Sequence, residues 1–329
     1  MEKEKTDAAL HSYMEAVIGR LKADGKYPAV HTYTATLNSL TACSEEKKRG
    51  MSIDKVFTVA RLKEYQDWLR GRKAAWNTVS TYMRTLKAMY NRLVLSGRMK
   101  YQPGLFSEVY TGVEAQTKRA LTQRQAQTML STDIETLPPD VQGAYACFAL
   151  MILLRGMPFI DLAYLRRQDL RGNHIVYCRH KTGRQIVVRV PPNAGRLLEL
   201  LERQRRKVPD SGYLFPILDD GTDYDTKDGA ELYRHYLRTL RTFNRKLEKL
   251  AGILLPEGKL SSYTPRHTWA TLAFHRGTNI GIISKALGHS SIKVTETYLK
   301  PFENEIVDAE NEKLIAFILK GKEEELLIK

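Results

Sequence analysis

A chain of 329 residues that is 43% hydrophobic can fill two cores, which excludes a disordered protein. Its longest apolar run, Tyr145 to Leu154, is well short of the ~20 residues that cross a bilayer, and MEKEKTDAAL has no signal-peptide core, so no membrane association and a cytoplasmic location are expected. The formal charge of +15 calls for a polyanionic partner, since clustered Lys and Arg gain affinity for phosphate backbones by releasing counterions.

That charge is unevenly spread. Residues 1–117 hold 19 Lys+Arg against 12 Asp+Glu, residues 118–300 hold 29 against 17, and residues 301–329 hold 4 against 8. Two basic blocks thus end in an acidic tail. Cys43, Cys147 and Cys178 are far apart, with no CxxC spacing, so neither a disulfide framework nor a zinc site is expected, and all three read as reduced, packed thiols.

The first block predicts four helices. Leu10, Tyr13, Met14, Val17, Ile18 and Leu21 keep helical spacing up to the stop at Gly25. A second helix is expected from His31 to Lys48. A third follows Thr58 as N-cap and carries Leu62, Tyr65 and Leu69, and a fourth runs from Asn77 to Gly97. On the last, Arg84, Lys87 and Arg92 fall outside the apolar stripe, where they either contact phosphates or face water.

Residues 99–119 have no sustained period and carry Pro103, Gly104 and Gly112. The expected boundaries are a helical domain over 1–105, a linker over 106–119, a second domain over 120–302 and a tail over 303–329. Thr122 and Gln125 form a capping box that opens the second domain, and Gln142–Leu154 reads as a helix buried on all sides. His174–Arg179 and Gln185–Val190 flank Lys181-Thr182-Gly183 as a β-hairpin, which puts Lys181 at the turn. A long helix from Ala230 to Leu250 turns Tyr233, Leu237, Leu240, Phe243, Leu247 and Leu250 inward. Arg238, Arg241 and Arg245 face outward, toward a DNA groove or toward water.

The chemistry-bearing residues come last. In Tyr263-Thr264-Pro265-Arg266-His267-Thr268-Trp269-Ala270-Thr271, Thr264 reads as N-cap and Pro265 as first helical residue. Arg266 then lies in the first turn, among unsatisfied N–H groups that attract a phosphate. Leu287-Gly288-His289 follows, with Gly288 ending a helix in the left-handed region and His289 exposed at the turn. Ser290 or Ser291 would start a short helix carrying Tyr298.

R-H-T-W-A-T, L-G-H and T-x-x-Y, in this order and spacing, resemble the tyrosine recombinase (phage integrase) family and are similar to mobile-element integrases and DNA invertases. The K-T-G-R of the hairpin fits, and Arg155-Gly156-Met157-Pro158-Phe159-Ile160-Asp161-Leu162 looks like the family's T-G-x-R-x-x-E-L box. The resemblance implies a mainly α fold with a small β-sheet, in which an N-terminal helical, SAM-like core-binding domain precedes a catalytic domain. It implies Tyr298 as nucleophile, Arg266 and His289 as ligands of the scissile phosphate, and Lys181 as general acid for the 5′-oxygen, with no cofactor or metal.

It further implies double-stranded DNA with specific sites as substrate, a homotetramer on DNA, a DNA-bending accessory protein and nucleoid association. The tail would dock on a neighbouring subunit or fold onto its own domain. The sequence departs from the family pattern twice: Pro158 stands where the first arginine is expected, and Tyr263 where a histidine is expected. Arg155 or Arg179 would supply the missing guanidinium; Tyr263 would donate through its hydroxyl, or with His267 brace the helix. A catalytically silent DNA-binding protein and a type IB topoisomerase are the rival readings.

Overall fold

The computed structural model describes residues 10–44, 52–113, 120–205, 212–218, 229–255, 258–299 and 304–326. The chain divides into two compact units, Met1–Gln116 with Asp228–Tyr233, and Thr117–Lys227 with Arg234–Lys329.

The first unit is built from α1 (Leu10–Ala23), α2 (Tyr27–Cys43), α3 (Ile53–Val56), α4 (Val59–Gly71) and α5 (Trp76–Leu95). Helix α2 starts four residues before the expected His31, because Pro28 occupies the first turn, where its missing N–H costs nothing. It ends at Cys43; the remainder of the predicted helix, residues 45–48, lies outside the described residues. Helix α3 was not anticipated, since four residues are too short to show a period. Thr58 caps α4 by accepting from the Arg61 amide at 3.2 Å, and α5 begins at Trp76. Met83, Leu86, Met89 and Leu93 of α5 are completely buried among Leu10, Met14, Leu40, Leu62 and Tyr65.

The first half of the expected linker belongs to this unit. Leu105, Phe106 and Val109 are buried in its core, the Tyr110 amide donates to Gln66 at 2.7 Å, and Ser80 donates to the Gly112 carbonyl at 2.5 Å. An irregular segment that satisfies its backbone on neighbouring side chains can pack without showing any periodicity.

The second unit opens with α6 (Gln123–Ser131), whose Thr122–Gln125 capping box is formed. Helix α7 (Pro139–Leu153) is buried almost all round. Arg155 and Gly156 follow it with φ of 61° and 68°, turning the chain into α8 (Phe159–Tyr164), for which Pro158 is the N-cap. Three antiparallel strands come next, β1 (Leu170–Arg171), β2 (His174–Cys178) and β3 (Gln185–Arg189), in the order β1-β2-β3. Cys178 pairs with Gln185 at the hairpin end, while Ile175, Tyr177, Ile186 and Val188 point into the core. Cys43 is half-buried, Cys147 buried and Cys178 exposed, so Cys178 is not the packed thiol expected: it ends β2 on the outward phase of the alternation.

Helices α9 (Gly195–Arg203) and α10 (Gly229–Leu254) follow, then α11 (Thr264–His275), α12 (Ile280–Leu287), α13 (Ile292–Glu296) and α14 (Asn304–Leu326). On α10, Phe243, Leu247 and Leu250 are buried as expected, with Phe243 stacked on Phe159 at 4.1 Å. Tyr236 is buried beside them, and Tyr233, Leu237 and Leu240 stay half-buried. The mainly helical architecture with one small sheet is the fold class read from the sequence. Among the described residues no helix is long and apolar enough to cross a membrane.

Candidate active site

Helix α11 presents Arg266 in its first turn. The helix begins at Thr264, one residue earlier than expected, with Tyr263 in the cap position and Thr264 accepting from the Ser261 amide at 3.0 Å. Arg266 is buried, at 3% exposure. Its Nη1 donates to the Gly156 carbonyl at 2.9 Å, and its Nη2 donates to the Leu287 carbonyl and to His289 Nε2 at 3.0 Å. Gly156 is required at this approach: a Cβ there would lie 3.0 Å from the Arg266 Cα. Burial, then the neighbouring Arg179 charge, lowers the Arg266 pKa to about 10. A guanidinium still carries its charge at neutral pH.

Gly288 ends α12 in the left-handed region, φ 65°, as the sequence predicted. His289 is buried at 4% exposure, and so is not the exposed turn residue expected: its ring is drawn inward between Arg266 and Thr295. Because a guanidinium can only donate, His289 Nε2 accepts from Arg266, and Nδ1 carries the proton it gives to Thr295 Oγ1 at 2.9 Å. The imidazole is therefore neutral. Burial, reinforced by Arg266, Arg179 and Lys181, lowers its pKa to about 3.

Tyr298 lies in the turn after α13, and not on the helix as expected, because α13 ends at Glu296. Its ring is flanked by two imidazoles, His289 at 5.0 Å and His267 at 4.8 Å, and the Arg266 guanidinium is 5.4 Å from its centre. Its carbonyl is held by His267 Nδ1 and Thr271 Oγ1, each at 3.3 Å, two residues one turn apart on α11. Thr295, Tyr298 and Leu299 thereby anchor the T-x-x-Y segment against α11 and α12.

Tyr298, Arg266, Lys181, Arg179, Tyr263, Pro158 and Asp161 line one cavity of about 120 Å³. Lys181 is exposed at the hairpin turn. Tyr263 is 63% exposed at the rim. Of the two candidates for the missing guanidinium, the cavity receives only Arg179, which is buried at 5% exposure just past the end of β2. Arg155 is turned elsewhere, its Nη1 donating to the Val187 carbonyl at 3.3 Å. Among the described residues neither Arg179 Nε nor Arg266 Nε, both buried, has a hydrogen-bond partner.

Sequence reasoning missed three contributors. Asp161, the acidic residue of the R-G-M-P-F-I-D-L box, is buried and accepts from the His180 amide at 2.9 Å; burial raises its pKa. Tyr177, buried on β2, has its phenol pushed up by burial. Arg184 reaches the His289 carbonyl. Asp161 left a trace in the sequence through its place in that box, and Arg184 as the last residue of K-T-G-R.

The outward basic residues fall as expected: Arg84, Lys87 and Arg92 on α5 are exposed, and so are Arg238, Arg241 and Arg245 on α10. Lys249, farther along α10, is held by Asp140 at 2.9 Å. Among the described residues no group of three or more His, Cys, Asp or Glu could hold a metal ion.

Arg266, the neutral His289 and the Tyr298 phenol are thus held together beside the hairpin that carries Lys181. Residues 119–305 match the phage integrase family and residues 9–107 the phage integrase SAM-like domain, and the chain belongs to this family of site-specific tyrosine recombinases. It is similar to a tyrosine recombinase of Pseudothermotoga lettingae, 25% identical over 77% of this chain and 81% of that one. It is also similar to tyrosine recombinase XerC of a Roseiflexus species, 24% identical over 88% of this chain and 89% of that one.

The fold is shared with the Tn1549 transposon integrase in complex with transposon right end DNA, with TM-score 0.60, 17% identity, and coverage of 88% of this chain and 94% of that one. It is shared too with a lambda integrase tetramer bound to a Holliday junction, with TM-score 0.57, 12% identity, and coverage of 91% and 80%.

Proposed function

We propose that this chain is an active recombinase that cleaves and rejoins specific DNA sites through Tyr298. The observation that carries this reading is the single cavity shared by Tyr298, Arg266, Arg179 and Lys181. A phosphodiester in that cavity meets two guanidiniums, which stabilise the charge that grows on the phosphorane oxygens.

The Tyr298 oxygen attacks phosphorus and the bond to O5′ breaks, leaving a 3′-phosphotyrosyl link and a 5′-hydroxyl. The phenol gives its proton to solvent water, O5′ takes one from the Lys181 ammonium, and solvent reprotonates Lys181, so the proton count balances. The reverse attack by a 5′-hydroxyl of another strand rejoins DNA without an external energy source. The phosphate's negative charge favours protonation of His289, which then donates from Nε2. In this reading Arg179 takes the part of the family arginine replaced by Pro158, His267 braces the Tyr298 turn, and Tyr263 donates from the rim.

Arg84, Lys87 and Arg92 of the first unit and Arg238, Arg241 and Arg245 of α10 grip the DNA backbone. The active form is a tetramer on DNA, with an accessory DNA-bending protein and location at the nucleoid as further parts of the proposal. Helix α14 exposes Leu314, Phe317 and Ile318, with Phe317 at 76%, an apolar face suited to a neighbouring subunit.

A nicked suicide duplex, which loses the fragment carrying the 5′-hydroxyl, traps the covalent intermediate. The wild-type protein is expected to give a denaturation-resistant adduct and Tyr298→Phe none. Specific binding with no adduct would leave a silent DNA-binding protein in place of the enzyme.

A further inference from the structure

The hairpin that carries Lys181 is tied to the turn that carries His289. The Arg179 amide donates to the Arg184 carbonyl at 2.8 Å, and the Gly183 amide to the Arg179 carbonyl at 2.8 Å, so these two arginines stand at the base of the loop that holds Lys181. Both side chains reach the same short segment. Arg179 Nη1 donates to the Gly288 carbonyl at 2.9 Å, and Arg184 Nη1 donates to the next carbonyl, that of His289. With Arg266 on the Leu287 carbonyl, three successive carbonyls of L-G-H are each held by a different guanidinium. The approach is close: a Cβ on Gly288 would lie 2.7 Å from Ile186 Cδ1 and 3.2 Å from Arg179 Cδ.

We propose that Arg184 is a positioning residue for Lys181, acting as the outer half of a two-arginine staple that makes the lysine hairpin and the His289 turn move as one body. The argument rests on the recombinase reading above, in which Lys181 protonates the leaving O5′. A loop from Arg179 to Arg184 held only by its backbone can swing about its base. Two charge-assisted hydrogen bonds to adjacent carbonyls fix its tilt, and with it the reach of the ammonium toward the cavity. Arg179 is committed to the cavity wall. Arg184 is an exposed residue with no place in the cavity, so its contribution is confined to that tilt.

The test uses the full-length protein and suicide duplexes built on the site that the wild type itself cleaves, with oxygen or sulfur at the 5′ leaving position. A thiol, with a pKa of about 8.5 for a cysteine side chain, leaves without a proton, so a sulfur substrate has no need of the general acid. On the oxygen substrate Lys181→Ala and Arg184→Ala are both expected to cleave slowly, the latter by about 100-fold, the order expected for a misplaced catalytic group.

On the sulfur substrate both recover to near the wild-type rate. Arg184→Lys, which retains an N–H donor, recovers part of the oxygen rate, and its melting temperature and DNA binding match the wild type. Wild-type cleavage of oxygen duplexes by Arg184→Ala, or an equal defect on oxygen and sulfur, would overturn the proposal while leaving the recombinase reading intact. Absence of any wild-type adduct would overturn both.

Discussion

Arg179 Nε lies 3.9 Å from Asp161 Oδ2 in the wall of the cavity, with both side chains shielded from solvent. This pairing draws a guanidinium from outside the R-G-M-P-F-I-D-L box into the cavity that Pro158 also lines, which is what the proposed replacement of the family arginine by Arg179 requires. Arg179→Ala is therefore expected to lower the rate of covalent adduct formation by about 100-fold or more, the usual cost of losing a donor to developing charge. The defect should persist with a sulfur leaving group, because the phosphorane charge remains. Arg155→Gly, which suits the left-handed φ of 61°, should cleave at close to the wild-type rate. A loss in Arg155→Gly with near-wild-type cleavage by Arg179→Ala would return the assignment to Arg155.

Removing the carboxylate should affect stability before chemistry. In Asp161→Ala the Arg179 charge stays buried without a counterion, and the His180 amide loses its acceptor. A broken buried pair costs about 3–5 kcal/mol. Thermal unfolding of the second unit should shift down by roughly 2–4 °C for each kcal/mol in a unit of this size. An unchanged melting temperature would mean that the 3.9 Å pair contributes nothing to folding.

His289 makes stability depend on pH with a definite sign. Its folded pKa is depressed to about 3 by burial and by the Arg266, Arg179 and Lys181 charges, against an ordinary value of 6.5. The unfolded chain thus binds the proton more readily, and the stability present above pH 6.5 is lost as pH falls toward 3. Between pH 6 and 4 the wild type should lose up to about 1.4 kcal/mol per pH unit more than His289→Gln, the slope of one proton taken up on unfolding. Denaturant titrations of the two proteins at several pH values give that difference directly, and parallel curves would refute it.

Much of this was legible in the sequence, for identifiable reasons. Helical spacing reveals burial, so the faces of α1, α4 and α5 and the buried α7 follow from single residues such as Leu62, Met83 and Phe148. The Thr58 and Thr122 caps and the left-handed Gly288 are local chemistry and are equally visible. Long-range pairings are not. Nothing near Arg179 in the sequence says that its partners are Asp161 and Gly288, and Arg184 carries no mark of its reach to a carbonyl 105 residues away. The packed segment containing Phe106 and Val109 was hidden for the same reason, since it has no period and takes its order from the helices it covers.

The arginines of α10 lend themselves to a measurement that needs no knowledge of the DNA sequence. Arg238, Arg241 and Arg245 recur at three- and four-residue intervals on the exposed side of a helix whose opposite side buries Phe243 and Leu247. If all three contact phosphates, each releases close to one counterion, and replacing them with glutamine should reduce the slope of log K against log salt by about 2–3. Affinity should fall by a similar factor for specific and unrelated duplexes, because phosphate contacts position the protein without reading bases. A slope unchanged within error would show that this face of α10 meets only water, and the charge that holds DNA would then have to come from α5 and the cavity rim.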